Sequence, residues 1–150
     1  MASNLLKTFE EDFFLLLEAG FVAVNDADED SALKLFKAAE LLRPTDPFPK
    51  IGFGYMHMCK LELKHACAVF NQVLELDPKN EMAKTFLAIC MSLSPNQLSK
   101  GESMLEEASK KSHDPAIKNL ANTAMDFVDS FVKKSPSPMT HKSPEKREKK

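Results

Sequence analysis

Six pairs of identical residues stand 34 positions apart: Phe14 and Phe48, Gly20 and Gly54, Ala32 and Ala66, Phe36 and Phe70, Leu42 and Leu76, Pro44 and Pro78. Self-similarity at a fixed period of this length marks a chain built from stacked supersecondary units, none of which can bury its apolar face alone. The residue types fit a two-helix unit: small residues where helices must approach, an aromatic to fill the gap, and a proline to stop the second helix.

The stretches between these landmarks read as helices. Phe9, Phe13, Leu16, Leu17, Gly20 and Val24 form a 3.6-period stripe, with Ser3 as a candidate N-cap, so a first helix is expected from about Ser3 to Val24. Asn25 to Asp30 holds four acids in six residues and reads as a turn whose last acids suit the positive end of the next helix. That helix, about Asp30 to Leu42, puts Ala32, Leu35, Phe36 and Ala39 on one face before Pro44, Pro47 and Pro49. Helices over 47–60 and 62–76 repeat the plan, with Pro78 ending the second. A third copy aligns Ala88 with Gly54, and places Gly101, Leu105 and Ala108 only after one inserted residue near Ser94 to Ser99. Asp114 as N-cap and Pro115 at N1 open a last helix, with Ile117, Leu120, Ala121, Ala124, Phe127, Val128 and Phe131 expected inward.

The expected organisation is one all-α domain over 1–134, with helix pairs at about 13–46, 47–80 and 81–113 and a capping helix at 115–133. A tail over 135–150 carries Ser-Pro at 135, 137 and 143, five basic and two acidic side chains, and is expected to be disordered. The head is the reverse, with nine acids against four bases from Met1 to Arg43. The tail has no aromatics to stack on bases, so nucleic acid is not an expected partner. No apolar run approaches the length of a membrane span, and the N-terminus lacks a signal-peptide pattern. A soluble cytoplasmic protein without membrane insertion is expected. Cys59, Cys67 and Cys90 are odd in number and sit in apolar helical patterns, as small buried residues rather than a disulfide framework.

Gly20, Ala32, Phe36, Pro44 and their copies Gly54, Ala66, Phe70, Pro78 resemble the signature of the tetratricopeptide repeat, with a looser copy at Ala88, Gly101, Leu105 and Ala108. The chain departs from that signature near the start of the first helix of each pair, where a large apolar residue is usual: Leu16 keeps it, but Lys50 and Lys84 do not. The usual Tyr is likewise replaced by Ala23, His57 and Met91. The resemblance implies a superhelix whose first helices line a concave face. Carried over in register, that face would consist of Phe14, Leu17, Phe21 and Val24, then Phe48, Ile51, Tyr55 and Met58, then Met82, Thr85, Ile89 and Ser92.

That set is almost wholly apolar. Repeat domains of this kind that clamp a chaperone's C-terminal carboxylate use Lys, Asn and Arg there, and only Asn25, at the margin, offers one. An apolar groove suits an amphipathic helix or an extended hydrophobic segment instead. Burying four or five such side chains at roughly 1.5 to 3 kcal/mol each gives on the order of 10 kcal/mol before association costs, enough for micromolar binding or tighter. The competing reading is that the stripe is core, covered by residues 1–12.

A small acidic protein with three such repeats and an apolar groove resembles the tetratricopeptide chaperones of bacterial type III secretion, most of all the short needle-subunit chaperone. The resemblance implies a virulence-associated protein-transport function without catalysis or cofactor: the groove holds the amphipathic helix of a secreted or needle subunit and prevents its polymerisation, often with a second small co-chaperone. A repeat adaptor joining partner proteins without chaperone activity is the alternative; deletion of 135–150 would disable it only if the tail carried the contact.

Catalytic and metal constellations do not emerge. His57 and His65 lie on different helices near Cys59 and Cys67, but neither Cys-x2-Cys nor His-x3-His spacing occurs. Asp26, Asp28 and Asp30 alternate as in a calcium loop, without its glycine and terminal glutamate. There is no glycine-rich phosphate loop and no nucleophile elbow. No enzyme is expected.

Overall fold

The computed structural model describes residues 7–134. The expected tail and the start of the expected first helix at Ser3 lie outside the described residues. Three helix pairs follow one another: α1 (Phe13–Asn25) with α2 (Glu29–Leu42), α3 (Phe48–Cys59) with α4 (Leu63–Leu76), and α5 (Glu81–Ser92) with α6 (Leu98–Lys111). A seventh helix, α7 (Pro115–Phe127), continues as a π-helical turn over Val128–Val132. No strand occurs among the described residues. The fold is the all-helical repeat solenoid that the spacing and the resemblance imply.

The second helices of the pairs are each 14 residues long and start at Glu29, Leu63 and Leu98. The starts are thus 34 and then 35 apart, which places the inserted residue in the turn between α5 and α6. Its cause is local. Ala27 and Leu61, themselves 34 apart, both take φ of 59° in the first two turns. The next equivalent position is Pro95, whose ring fixes φ near −65°. That turn is instead a 3-10 helix over Pro95–Gln97.

Caps match the sequence in kind. Asp28 accepts from the Ser31 amide at 3.0 Å and Asn80 from that of Ala83 at 2.9 Å. Asp114 accepts from the amide of Ala116 at 2.8 Å. Each satisfies a donor left over in a first helical turn. The chain ahead of α1 is broken where one helix was expected: Lys7 and Thr8 are helical, the Asp12 amide donates to the Phe9 carbonyl at 3.0 Å, and Glu10–Asp12 forms a 3-10 turn. The three acids of that turn favour the positive end of α1 and so support a new helix start there.

The signature residues pack as a repeat requires. Phe36 is wholly buried, and a Cβ placed on Gly20 or on Gly52 would come 2.5 Å from its ring. One phenylalanine from α2 thus fills the space between α1 and α3 because both present a bare backbone. Phe70 of α4 meets Gly54 the same way, at 2.5 Å. Core clusters follow in sequence along the stack: Phe13, Leu17, Ala32 and Phe36; then Ile51, Phe70, Val73 and Cys90; then Ala88, Leu105 and Ala121. The first helices also touch in series, α1 on α3, α3 on α5 and α5 on α7.

The last helix buries less than its pattern suggests. Ile117, Ala121 and Val128 are buried, and Leu120 and Ala124 half-buried, whereas Phe127 is 49% and Phe131 63% exposed. Their apolar stripe is wider than α5 and α6 can cover, so the expectation that both phenylalanines point inward is corrected.

Candidate protein-binding groove

Three aromatic side chains from successive first helices make one continuous row. Phe21 of α1 meets Tyr55 of α3 at 5.5 Å between ring centroids and 65°, and Tyr55 meets Phe86 of α5 at 5.5 Å and 50°. All three are half-buried. Each outer member rests on a signature phenylalanine: Phe21 edge-on to Phe36 at 5.2 Å, Phe86 stacked on Phe70 at 5.6 Å and 22°. Such contacts add about 0.5–1.5 kcal/mol each beyond burial, so the row is anchored rather than loose. The Tyr55 hydroxyl donates to Asn25 Oδ1 at 2.9 Å, linking α3 to the end of α1. Partial burial raises its pKa above the usual 10, and it stays a neutral donor.

Two helical turns before Phe21 and Tyr55, and so at the same angle around their helices, stand Phe14, 58% exposed, and Phe48, 40% exposed. Phe14 lies edge-on to Phe13 at 5.3 Å, and the Arg43 guanidinium sits 5.0 Å from its ring centroid and 4.3 Å from that of Phe13. The cation at the end of α2 therefore holds the aromatic start of α1, and it pairs in turn with Glu10 at 3.9 Å. Met58, Met82 and Ile89 are half-buried and complete the accessible set.

Five of the residues expected on this surface are not available to a partner. Leu17, Val24, Ile51 and Thr85 are buried, as is Ser92. Leu17 and Val24 pack with Phe36, and Ile51 packs with Phe70 and Val73. Thr85 and Ser92 turn their hydroxyls back onto the Glu81 and Ala88 carbonyls, at 2.7 and 2.8 Å. The register placed them beside the groove but could not distinguish its floor from the core beneath.

Phe86 was missed because it is not at an expected groove position. A cue existed in the spacing: Phe86 stands 34 residues after Gly52. Where α3 has a glycine that admits Phe36, α5 carries a phenyl group that stacks on Phe70 and comes to lie beside Tyr55.

The two lysine departures also have a structural counterpart. Lys50 lines a cleft of about 330 Å³ with Pro44, Pro47, Val73 and Leu76. Lys84 lines one of about 350 Å³ with Leu74, Met104, Ala108 and Ile117. Both open at the starts of first helices, where a large apolar side chain is usual in the repeat.

The histidines do come together, as a surface cluster. His57 and His65 stack at 5.5 Å and 26°, and His57 Nδ1 donates to Glu62 Oε2 at 2.6 Å. Lys60 joins Glu62 to Glu29, at 3.1 and 2.9 Å. Hydrogen bonds from His57 and then Lys60 hold the Glu62 carboxyl below its usual value. Among the described residues no three His, Cys, Asp or Glu side chains gather as metal ligands, and no helix is long and apolar enough to cross a membrane.

No family model matches the sequence, and no curated protein matches it. The structure is similar to the crystal structure of the type III secretion translocator chaperone SycD of Yersinia enterocolitica, in an alternative dimer. The TM-score is 0.61 at 20% identity, over 79% of this chain and 90% of that one. The likeness is one of fold.

Proposed function

We propose that the protein is a non-enzymatic cytoplasmic chaperone of type III secretion. Its concave face holds the apolar side of an amphipathic helix from an export substrate and keeps that helix from premature assembly. One observation carries the reading: the Phe21–Tyr55–Phe86 row crosses three helices, and Phe14 and Phe48 are exposed two turns before Phe21 and Tyr55 on the same helices. An apolar surface of this extent on a folded domain calls for a partner. The fold shared with a translocator chaperone supports the functional class.

The needle subunit is the specific client proposed, with a second small co-chaperone as a further partner. The solved neighbour is named for a translocator, so the two client classes should be compared directly. Purified protein is mixed with a needle-type subunit and with a translocator-type export substrate, and retention is followed by size-exclusion chromatography. Retention of the needle subunit as a soluble complex supports the specific client. Retention of the translocator alone keeps the chaperone class and replaces the client, and retention of neither refutes the reading. Tyr55→Asp should abolish retention with its helical circular dichroism unchanged, because it places a carboxylate in the centre of the row.

A further inference from the structure

We infer that the outward side of α1 is a second protein-docking face, and that its partner is a helix presenting a Lys or Arg from the middle of an apolar stripe. The inference goes beyond the client groove and does not depend on it. Its starting point is the stacking of one pair on the next. In α3 the face turned towards the preceding pair holds Pro49, Gly52, Phe53 and Met56; in α5 the positions 34 residues on are Ala83, Phe86, Leu87 and Cys90. There α3 packs on α2, with Phe36 over Gly52, and α5 packs on α4, with Phe86 stacked on Phe70. Six of these eight residues are buried and the two phenylalanines half-buried.

The same positions in α1 are Leu15, Glu18, Ala19 and Val22. Three of them are apolar, as stacking requires, yet Leu15 is 64% and Val22 58% exposed, because only residues 7–12 precede α1 among those described. A terminal repeat needs a polar outer face to meet water, and this one is apolar. At 3.6 residues per turn, Leu15 and Val22 lie about 100° around the helix from Phe14 and Phe21, so the face is separate from the concave groove. α1 thus carries a stacking surface for a helix that the described residues do not supply.

Glu18 sets the chemistry of the occupant. It stands in the place of Gly52, which receives the Phe36 ring, and it is exposed, with no ion-pair partner among the described residues. A phenyl group seated there would bury the carboxylate unpaired, whereas a Lys or Arg at that point of the docking helix pairs with it. The surroundings have one sign: from Phe9 to Ser31 there are eight acidic side chains and no basic one. A second copy docked α1 to α1 would set Glu18 against another acidic helix. The ends of the chain fit no better, since 1–6 has no basic side chain and 135–150 is basic but has Met139 as its one hydrophobic side chain. The occupant is accordingly a helix of another protein, apolar at two successive turns with Lys or Arg between them.

Fluorescence anisotropy with two labelled, leucine-striped helical peptides of about 18 residues tests this, one with a lysine in the middle of the stripe and one with a glutamate there. The full chain should bind the lysine peptide at least about tenfold tighter than the glutamate peptide, and Glu18→Lys should reverse the order. Tyr55→Asp, which closes the concave groove to either peptide, should keep the preference, and Leu15→Ser with Val22→Ser should remove it. Both of these side chains are already exposed, so the double variant should unfold in urea at the midpoint of the parent. Equal binding of the two peptides, or an order that Glu18→Lys leaves unchanged, overturns the charge assignment. A preference lost in Tyr55→Asp places the site in the concave groove and overturns the second face, leaving the chaperone reading standing. Sedimentation of the chain alone as a dimer that Leu15→Ser dissociates makes the occupant a second copy, and a preference seen only after deletion of 1–6 makes it that segment; either result overturns the foreign helix.

Discussion

Phe36 is the residue on which the first two repeats depend, and a double-mutant cycle with Gly52 measures that dependence. Phe36 has no exposed surface, meets Phe21 at 5.2 Å and Phe53 at 5.7 Å, and lies against two glycine backbones. Truncation to alanine leaves a void that Gly20 and Gly52 have no side chain to fill, so Phe36→Ala should cost about 4–5 kcal/mol, the upper part of the range for Phe→Ala. Gly52→Ala places a methyl group 2.5 Å from a ring that cannot move aside, an overpacking cost of about 1–3 kcal/mol even after the gain in helix propensity. The two costs share one space. Once the ring is gone, the alanine at 52 enters the void, and the double variant should be more stable than the sum of the single losses by about 1–3 kcal/mol. Urea unfolding followed by far-ultraviolet circular dichroism reads all four proteins, with unchanged m-values as the check on two-state behaviour. Strict additivity would refute the placement of Phe36 between the two helices.

Three further outcomes are expected. Ala27→Gly and Leu61→Gly should each stabilise by about 0.5–1 kcal/mol in the same unfolding assay, because both residues hold φ of 59°, where an L side chain is penalised and glycine is not. The Glu62 carboxyl is held below its usual 4.5 chiefly by the His57 hydrogen bond, so its contribution is present above that value and is lost as pH falls through the lowered one; Glu62→Gln should flatten the acid side of the stability profile below about pH 4.5, and an unchanged profile would contradict the pairing. With a thiol reagent in native buffer, the exposed Cys59 should react first and the buried Cys90, pushed up to about 12, last; mass spectrometry of the labelled protein gives the order.

The fold was legible because its determinants are local and repeated. Gly20, Ala32, Phe36 and Pro44 recur in register, and even the extra residue before α6 could be placed from Gly101 and Leu105. Its cause, a proline at a position that needs positive φ, became clear only from Ala27 and Leu61. The groove was legible in part. Of the residues expected there, Phe14 and Phe48 are exposed and Phe21 and Tyr55 half-buried, whereas Leu17, Val24, Ile51, Thr85 and Ser92 are buried. A helical period gives an angle around the axis, and burial depends on what the neighbouring helices do at that angle. Phe86 and Phe127 show the converse: one is an aromatic in a column that holds glycine a repeat earlier, the other an apolar residue on a helix with no following pair among the described residues.

The central claim is that the row around Tyr55 holds a client helix. A photo-crosslinking amino acid at position 48, open at 40% exposure, tests it in the source cells, with the same group at the exposed Gln72 of α4 as the control. The expected result is a crosslink from position 48 to the amphipathic helix of a short, self-polymerising export substrate, absent from position 72 and lost with Tyr55→Asp. A crosslink to the same substrate from position 72 but not from position 48 would contradict the claim.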